Sequence, residues 1–241
     1  MFRPNYESAT AYGSAWLGEI ARLAQEMGHA VIDIEGIYAT PEAFYQALTQ
    51  YRPDFVVAMG HGAPNAFGGQ NGQIVLQGCT NDQMMAGTQA YFVSCLMAQK
   101  LVPSMVSKGA YGVAGYSADF VWNMASGYLE NPLDDPKAYP FMRALVDGTR
   151  VILEHLRTSP NISPEAWRRF YLTTVDLFNQ GIQEWRLSPS PDAIDIVNGL
   201  EQDKNSLVIL GEGIQIMESQ EEPLPLVPLL VGLGLFVVAM L

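Results

Sequence analysis

The sequence predicts an α/β fold, a three-layer sandwich around a mainly parallel sheet. Short apolar runs that are typical of buried strands alternate with longer stretches whose apolar residues recur at helical spacing. The strand runs are almost wholly apolar, which favours a sheet buried on both faces. An apolar content of 49 % in 241 residues is ample for such a core.

The first quarter of the chain reads as helix, strand, helix, strand. The opening helix ends at Gly28, and a strand is predicted over 30–35. Thr40 and Pro41 then start a second helix, and a strand follows over 54–60. This β-α-β order predicts parallel strands with a right-handed crossover. The apolar residues of the opening helix are Trp16, Ile20, Leu23, Ala24 and Met27.

The rest of the chain continues the alternation. Residues 63–89 are rich in turn formers, with a short strand at 74–76, and predict a binding rim. A strand over 90–93 precedes a helix predicted to begin at Cys95, despite Pro103. A strand over 110–115, helices over 141–156 and from Ser163 onward, and a final strand over 206–211 complete the pattern.

Two of these strands end in residues that can do chemistry together. The strand over 54–60 runs into His61 and Gly62, and the strand over 90–93 runs into Ser94 and Cys95. Carboxyl ends of neighbouring parallel strands meet at one crevice, where an imidazole could activate a thiol. The amides of Gly62 and Cys95 are candidate oxyanion donors. From the residues alone, a small buried cysteine and a turn histidine remain the alternative.

These motifs resemble the His-Gly and Ser-Cys motifs of the caspase-fold cysteine peptidases. The resemblance is strongest to the gingipain-like branch. It rests on residues 94–96, on Gly109-Ala110 and Gly115-Tyr116, and on the closing strand over 207–211. It covers about residues 8–217 and implies a peptidase domain over 1–217. It further implies a His61–Cys95 dyad, a cysteine endopeptidase activity, and a polypeptide substrate lying along the sheet edge.

The resemblance also implies a pocket for the substrate residue before the cut. A carboxylate in that pocket would select arginine or lysine through a charge-assisted hydrogen bond. Asp119, just beyond the strand over 110–115, is the first candidate, and Asp82 on the turn-rich segment is the second. Ser94 and Asn65 are expected to shape the floor or the rim of the pocket.

The last residues predict a membrane anchor. Residues 218–223 form an acidic linker, and residues 224–241 carry no charge and are almost wholly apolar. About 17–20 apolar residues cross a bilayer as a helix, so this segment is long enough for one pass. No signal peptide opens the sequence, which places the expected catalytic domain in the cytoplasm. The alternative is an apolar tail packed on a partner, either a second copy or a membrane protein.

Composition excludes other classes of function. A formal net charge of −12 argues against nucleic acid as a partner. Two cysteines are too few for a disulfide framework, although a Cys79–Cys95 bridge would silence the nucleophile. No histidine has zinc-ligand neighbours, and no glycine motif has the lysine of a phosphate loop, so neither metal nor cofactor is expected. The competing functions are an inactive caspase-fold binding or scaffolding module at a membrane and, ranked last, a flavodoxin-like nucleotide binder.

Overall fold

The computed structural model describes residues 1–217. The predicted linker 218–223 and apolar segment 224–241 lie outside them. Along the described residues the strands are β1 (Phe2–Arg3), β2 (Ile34–Glu35), β3 (Val56–Met59), β4 (Gly62–Ala63), β5 (Ala66–Gly68), β6 (Ile74–Gln77), β7 (Gln89–Val93), β8 (Gly112–Tyr116), β9 (Leu207–Gly211) and β10 (Ile214–Ile216). The α-helices are α1 (Ser8–Glu26), α2 (Pro41–Tyr51), α3 (Leu101–Ser107), α4 (Tyr139–Leu156), α5 (Pro164–Arg186) and α6 (Ala193–Ser206).

A mixed, mostly parallel sheet of seven strands forms the centre of the fold, in the order β10-β9-β8-β7-β3-β1-β2. Neighbouring strands among β2, β1, β3, β7 and β8 are parallel. Strand β9 is antiparallel to β8, and β10 is antiparallel to β9. A small antiparallel sheet, β4-β5-β6, lies between β3 and β7 in the sequence. The predicted α/β class with a mainly parallel sheet is therefore confirmed.

Helices cover both faces of this sheet. Successive side chains of a strand point to opposite faces, and in β7 all five residues are buried. One face, with Tyr91, packs against α1, α4 and α5. The other face, with Phe92, packs against α2 and α3. Burial of both faces explains why the strands read as continuous apolar runs instead of alternating ones.

Three elements differ from the sequence expectation. Residues 1–7 contain β1, which lies between β2 and β3, and its Phe2 is fully buried. The strand expected over 30–35 is reduced to Ile34–Glu35. Helix α6 occupies a stretch for which the sequence indicated no element, and it packs on α5 through Ile196 and Leu200. Each of these depends on tertiary contacts because each has a short or weak local pattern.

The expectation of a helix beginning at Cys95 is wrong. Leu96 has a left-handed backbone with φ of 62°, a 3-10 turn follows over Met97–Gln99, and α3 begins only at Leu101. Pro103 lies in the first turn of α3, where its missing amide removes no intrahelical hydrogen bond. Among the described helices, none is both long enough and apolar enough to cross a bilayer.

Candidate active site

The sheet brings the two predicted motifs to one edge. Strands β3 and β7 are parallel neighbours, and Met59 lies opposite Val93. His61 and Cys95 each follow two residues beyond that pair, so both leave the sheet at its carboxyl edge. Parallel pairing with this register is the arrangement that the sequence analysis required for the dyad.

Gly62 shows how closely the two motifs approach each other. A Cβ atom on Gly62 would overlap the carbonyl oxygen of Cys95 and would lie 2.8 Å from the amide nitrogen of Cys95. It would also lie 2.5 Å from the hydroxyl oxygen of Ser94. Only glycine allows this approach, because any side chain would meet backbone that cannot move aside. The His-Gly and Ser-Cys segments are thus in direct backbone contact.

His61 has a partner that the sequence analysis missed. Its Nε2 atom contacts the carboxylate of Glu7, and its ring meets the edge of the Tyr6 ring at a centroid distance of 6.1 Å. Side chains of both His61 and Glu7 are about half exposed, at 52 % and 44 %. A carboxylate on one ring nitrogen fixes the orientation of an imidazole and leaves the other nitrogen for proton transfer.

Glu7 reaches His61 because of β1. The chain leaves β1 at the carboxyl edge of the sheet, and Glu7 directly precedes α1. Its amide donates to the hydroxyl of Thr10, which holds this turn in place. A sequence signal existed in the acidic residue just before a helical pattern, but it had no meaning until β1 was known to lie beside β3.

Cys95 is a partly buried thiol. Its Sγ donates to the carbonyl oxygen of Phe120 at 3.9 Å. Burial raises the pKa of the Cys95 thiol above its usual value, and the carboxylates of Asp119 and Asp203 raise it further. A helix beginning at Cys95 would favour the thiolate through its dipole, but α3 begins six residues later. Such a thiol stays protonated at neutral pH until a base removes its proton.

Cys79 and Cys95 are both free, so the alternative of a bridge between them does not occur.

Asp119 lies beside the thiol. It is exposed, and its carboxylate is close enough to affect the thiol both by charge and as a hydrogen-bond acceptor. Ser94, by contrast, is buried under Gly62, and its hydroxyl has no hydrogen-bond partner within residues 1–217. These two predicted substrate-binding residues therefore adjoin Cys95.

The structure does not bring Asn65 and Asp82 to the thiol. Asn65 is exposed in the turn between β4 and β5, and its Nδ2 donates to the Gly78 carbonyl oxygen at 3.4 Å. Asp82 is fully buried near the start of β7, at the opposite edge of the sheet from Cys95, and pairs with Lys108 at 2.5 Å. Burial would raise the pKa of Asp82, but hydrogen bonds from Lys108 and Ser104 lower it overall. Its charge is already compensated within the fold, which corrects its expected role in substrate binding.

A cavity of about 510 Å³ lies at the other end of the strands. Its walls include Met1, Phe55 and Val56 at the amino ends of β1 and β3, together with apolar residues of α2 and α4. Neither His61 nor Cys95 lines it. The chemistry-bearing residues and this cavity are therefore separate features.

Comparison of the chain with protein-family models, with curated proteins and with solved structures finds no match.

Proposed function

We propose that this chain is a caspase-fold cysteine endopeptidase that uses His61 and Cys95. The observation that carries the proposal is the seating of Gly62 against the backbone of Cys95, which joins the two motifs at one sheet edge. A carboxylate on His61 adds a third member in the order nucleophile, base and orienting acid.

The raised pKa of the Cys95 thiol favours general-base activation over a resting ion pair. In the proposed reaction His61 takes the thiol proton as sulfur forms a bond to the carbonyl carbon of the substrate. The amides of Gly62 and Cys95 are the candidate donors to the resulting oxyanion. The carbon–nitrogen bond then breaks, and the leaving amine takes the proton from His61. Water hydrolyses the thioester and restores the thiol.

Asp119 is the proposed selector for a basic residue before the scissile bond. Its carboxylate is exposed beside the sulfur, so it can meet a substrate side chain without first being uncovered. A guanidinium or ammonium group bound there would be neutralised by a charge-assisted hydrogen bond. The same cation would offset the negative charge that disfavours the thiolate, which links substrate binding to activation.

Membrane tethering through residues 224–241 is the second part of the proposal. The segment has no charged residue, and its length suits one crossing of a bilayer. Full-length protein is expected to float with neutral lipid vesicles and to resist extraction by alkaline buffer. Leu233→Arg, near the middle of the segment, is expected to reduce this association because an arginine at the bilayer centre is costly. Equal flotation of the two proteins would contradict the anchor.

The dyad is tested with an arginyl peptide that carries a thiol-reactive electrophile. Mass spectrometry should find the label on Cys95, and His61→Ala should slow the labelling strongly. Cys79→Ala is the matched control, because Cys79 is the second free cysteine and is exposed, yet it plays no part in the proposal. Labelling that falls on Cys79 alone, or that is indifferent to His61, would contradict the proposal.

One observation favours a second candidate, an inactive caspase-fold module that binds partners at a membrane. The partly buried thiol has a raised pKa, which by itself makes a poor nucleophile. For this candidate, Cys95 would react with the peptide electrophile no faster than with a small neutral alkylating reagent of equal intrinsic reactivity. Acceleration by the peptide part of the reagent would eliminate it.

A further inference from the structure

Residues 117–121, which we call the post-β8 loop, lie against the candidate nucleophile. Its Phe120 carbonyl oxygen accepts from the Cys95 thiol, and its Asp119 carboxylate acts on the same thiol. The main-chain amide of Leu96 donates to the Ala118 carbonyl oxygen at 2.9 Å. The conformation of this loop therefore decides which groups meet the sulfur.

Helix α6 clamps the post-β8 loop through three hydrogen bonds. The hydrogen bonds that join them run from Gln202 Nε2 to the Asp119 carbonyl oxygen at 2.8 Å, from the Val121 amide to Asp203 Oδ1 at 3.0 Å, and from the Ser117 amide to the Ser206 carbonyl oxygen at 2.8 Å. The contacts fall on the beginning, the middle and the end of the loop. Such spacing holds the whole loop instead of one residue.

Asp203 is the buried member of this clamp. Its side chain is fully buried, and its Oδ2 atom has no hydrogen-bond partner in the part of the chain that the structure describes. Burial raises the pKa of Asp203 well above its usual value. A buried carboxyl with one unpaired oxygen lowers stability, so simple packing does not account for it. What it does provide is the acceptor for the Val121 amide.

We propose that Asp203 is a positioning residue that, through the post-β8 loop, sets the Asp119 carboxylate and the Phe120 carbonyl against the Cys95 thiol. The proposal rests on the proposed function, because it assigns the selection of a basic substrate side chain to the geometry that α6 imposes. Asp203 itself does not touch the substrate. It lies in the last turn of α6, four residues before β9 begins at Leu207, and acts on specificity through the loop.

The test compares Asp203→Ala, which removes the acceptor, with Asp203→Asn, which keeps an oxygen for the Val121 amide. Peptides with arginine or with uncharged norleucine before the scissile bond are the two substrates. For Asp203→Ala we expect KM for the arginyl peptide to rise about tenfold with kcat little changed, because a hydrogen bond that positions a binding group is lost. The preference for arginine over norleucine should fall by the same factor, while Asp203→Asn should retain most of it.

Gln202→Ala makes the test independent of folding and of charge. Gln202 is exposed, so the variant should fold even where Asp203→Ala does not. It removes the bond to the Asp119 carbonyl without changing any charge. The groups that act on the thiol by charge are Asp119 and Asp203, with His61 at the end of the neighbouring strand. A lower apparent pKa of Cys95, measured from the pH dependence of iodoacetamide labelling, would then report that Asp119 has moved.

The control is Asp195→Ala, an exposed acid on the same helix, which should leave every reading at the wild-type value. Folded Asp203→Ala and Gln202→Ala proteins with unchanged KM, arginine preference and labelling pKa would overturn the positioning role. If Asp203→Ala does not fold, Gln202→Ala decides alone. Should the wild type fail to cleave either peptide, the proposed function fails, yet the labelling pKa of Gln202→Ala still decides whether α6 positions Asp119.

Discussion

The carboxylate of Glu7 contacts Nε2 of His61, although 54 positions separate the two residues in the sequence. The contact exists because β1 inserts between β2 and β3 and delivers the start of α1 to the carboxyl edge of the sheet. A carboxylate that hydrogen-bonds one ring nitrogen of an imidazole fixes the orientation of the ring, so the other nitrogen can face a proton donor. Glu7 is therefore a positioning residue for the proposed base.

Glu7→Gln should lower kcat by at least about tenfold and leave KM nearly unchanged, because general base catalysis contributes about a hundredfold or more and depends on ring orientation. Steady-state cleavage of an arginyl peptide measures both constants. Glu42→Gln, an exposed acid in the first turn of α2, is the control and should behave as the wild type. A fall confined to KM would show that Glu7 serves the substrate instead of His61.

Gly62→Ala should abolish peptide cleavage and destabilise the domain by about 1–3 kcal/mol, the usual range for forcing a methyl group into packed structure. The added Cβ would meet the backbone of Cys95, which cannot rotate out of the way. Urea unfolding and labelling of Cys95 would measure the two effects.

Gly18→Ala provides the control for this substitution. In α1 its new Cβ would lie no closer than 3.5 Å to Arg3, an ordinary contact, and alanine favours a helix. We expect unchanged cleavage and equal or slightly greater stability. Full activity in Gly62→Ala would mean that the His-Gly and Ser-Cys segments do not need their close approach.

The central sheet could be predicted from the sequence because β3, β7 and β8 are buried on both faces and so read as apolar runs. Their order placed His61 and Cys95 at successive strand ends. The two residues of β1 give no such run, and the strand exists only through its pairing with β2 and β3. Local pattern cannot reveal a strand that tertiary pairing defines.

The surroundings of the thiol were harder to predict than the dyad. Asp119 could be proposed from its place after a strand, but the loop that carries it is hydrogen-bonded to α6, and no local pattern predicted that helix. Asp82 read as a loop acid open to a substrate, and only the arrival of Lys108 from the end of α3 makes its burial tolerable. Charge partners of this kind join distant segments and have no periodic signal.

Asp119→Asn should change labelling and cleavage in opposite directions. The Asp119 carboxylate raises the pKa of the Cys95 thiol, because a nearby negative charge disfavours the thiolate. Removing that charge lowers the pKa, so a larger fraction of thiolate is present at pH 7 and iodoacetamide labelling becomes faster. Cleavage of an arginyl peptide should nevertheless become slower, since the basic side chain loses its partner.

Two measurements on the same variant check this, namely the pH dependence of labelling and kcat/KM for arginyl and norleucyl peptides. Glu130→Gln, in the long segment after β8, is the control and should alter neither. Faster cleavage of the arginyl peptide by Asp119→Asn would remove Asp119 from substrate selection.

Lys108→Met should destabilise the fold by several kcal/mol without altering the preference for arginyl peptides. The substitution leaves the fully buried Asp82 carboxylate without its cation, and breaking a buried pair in this way costs about 3–5 kcal/mol.

Because the pKa of Asp82 is lowered in the folded state, the stabilisation is present above the unfolded pKa and is lost as pH falls through the folded one. The difference between wild type and variant should accordingly be large at pH 7 and shrink in acid below about pH 4. Urea unfolding across this pH range measures it, with Lys100→Met, an exposed lysine that directly precedes α3, as the control. A variant as stable as the wild type but with altered substrate preference would return Asp82 to the substrate pocket.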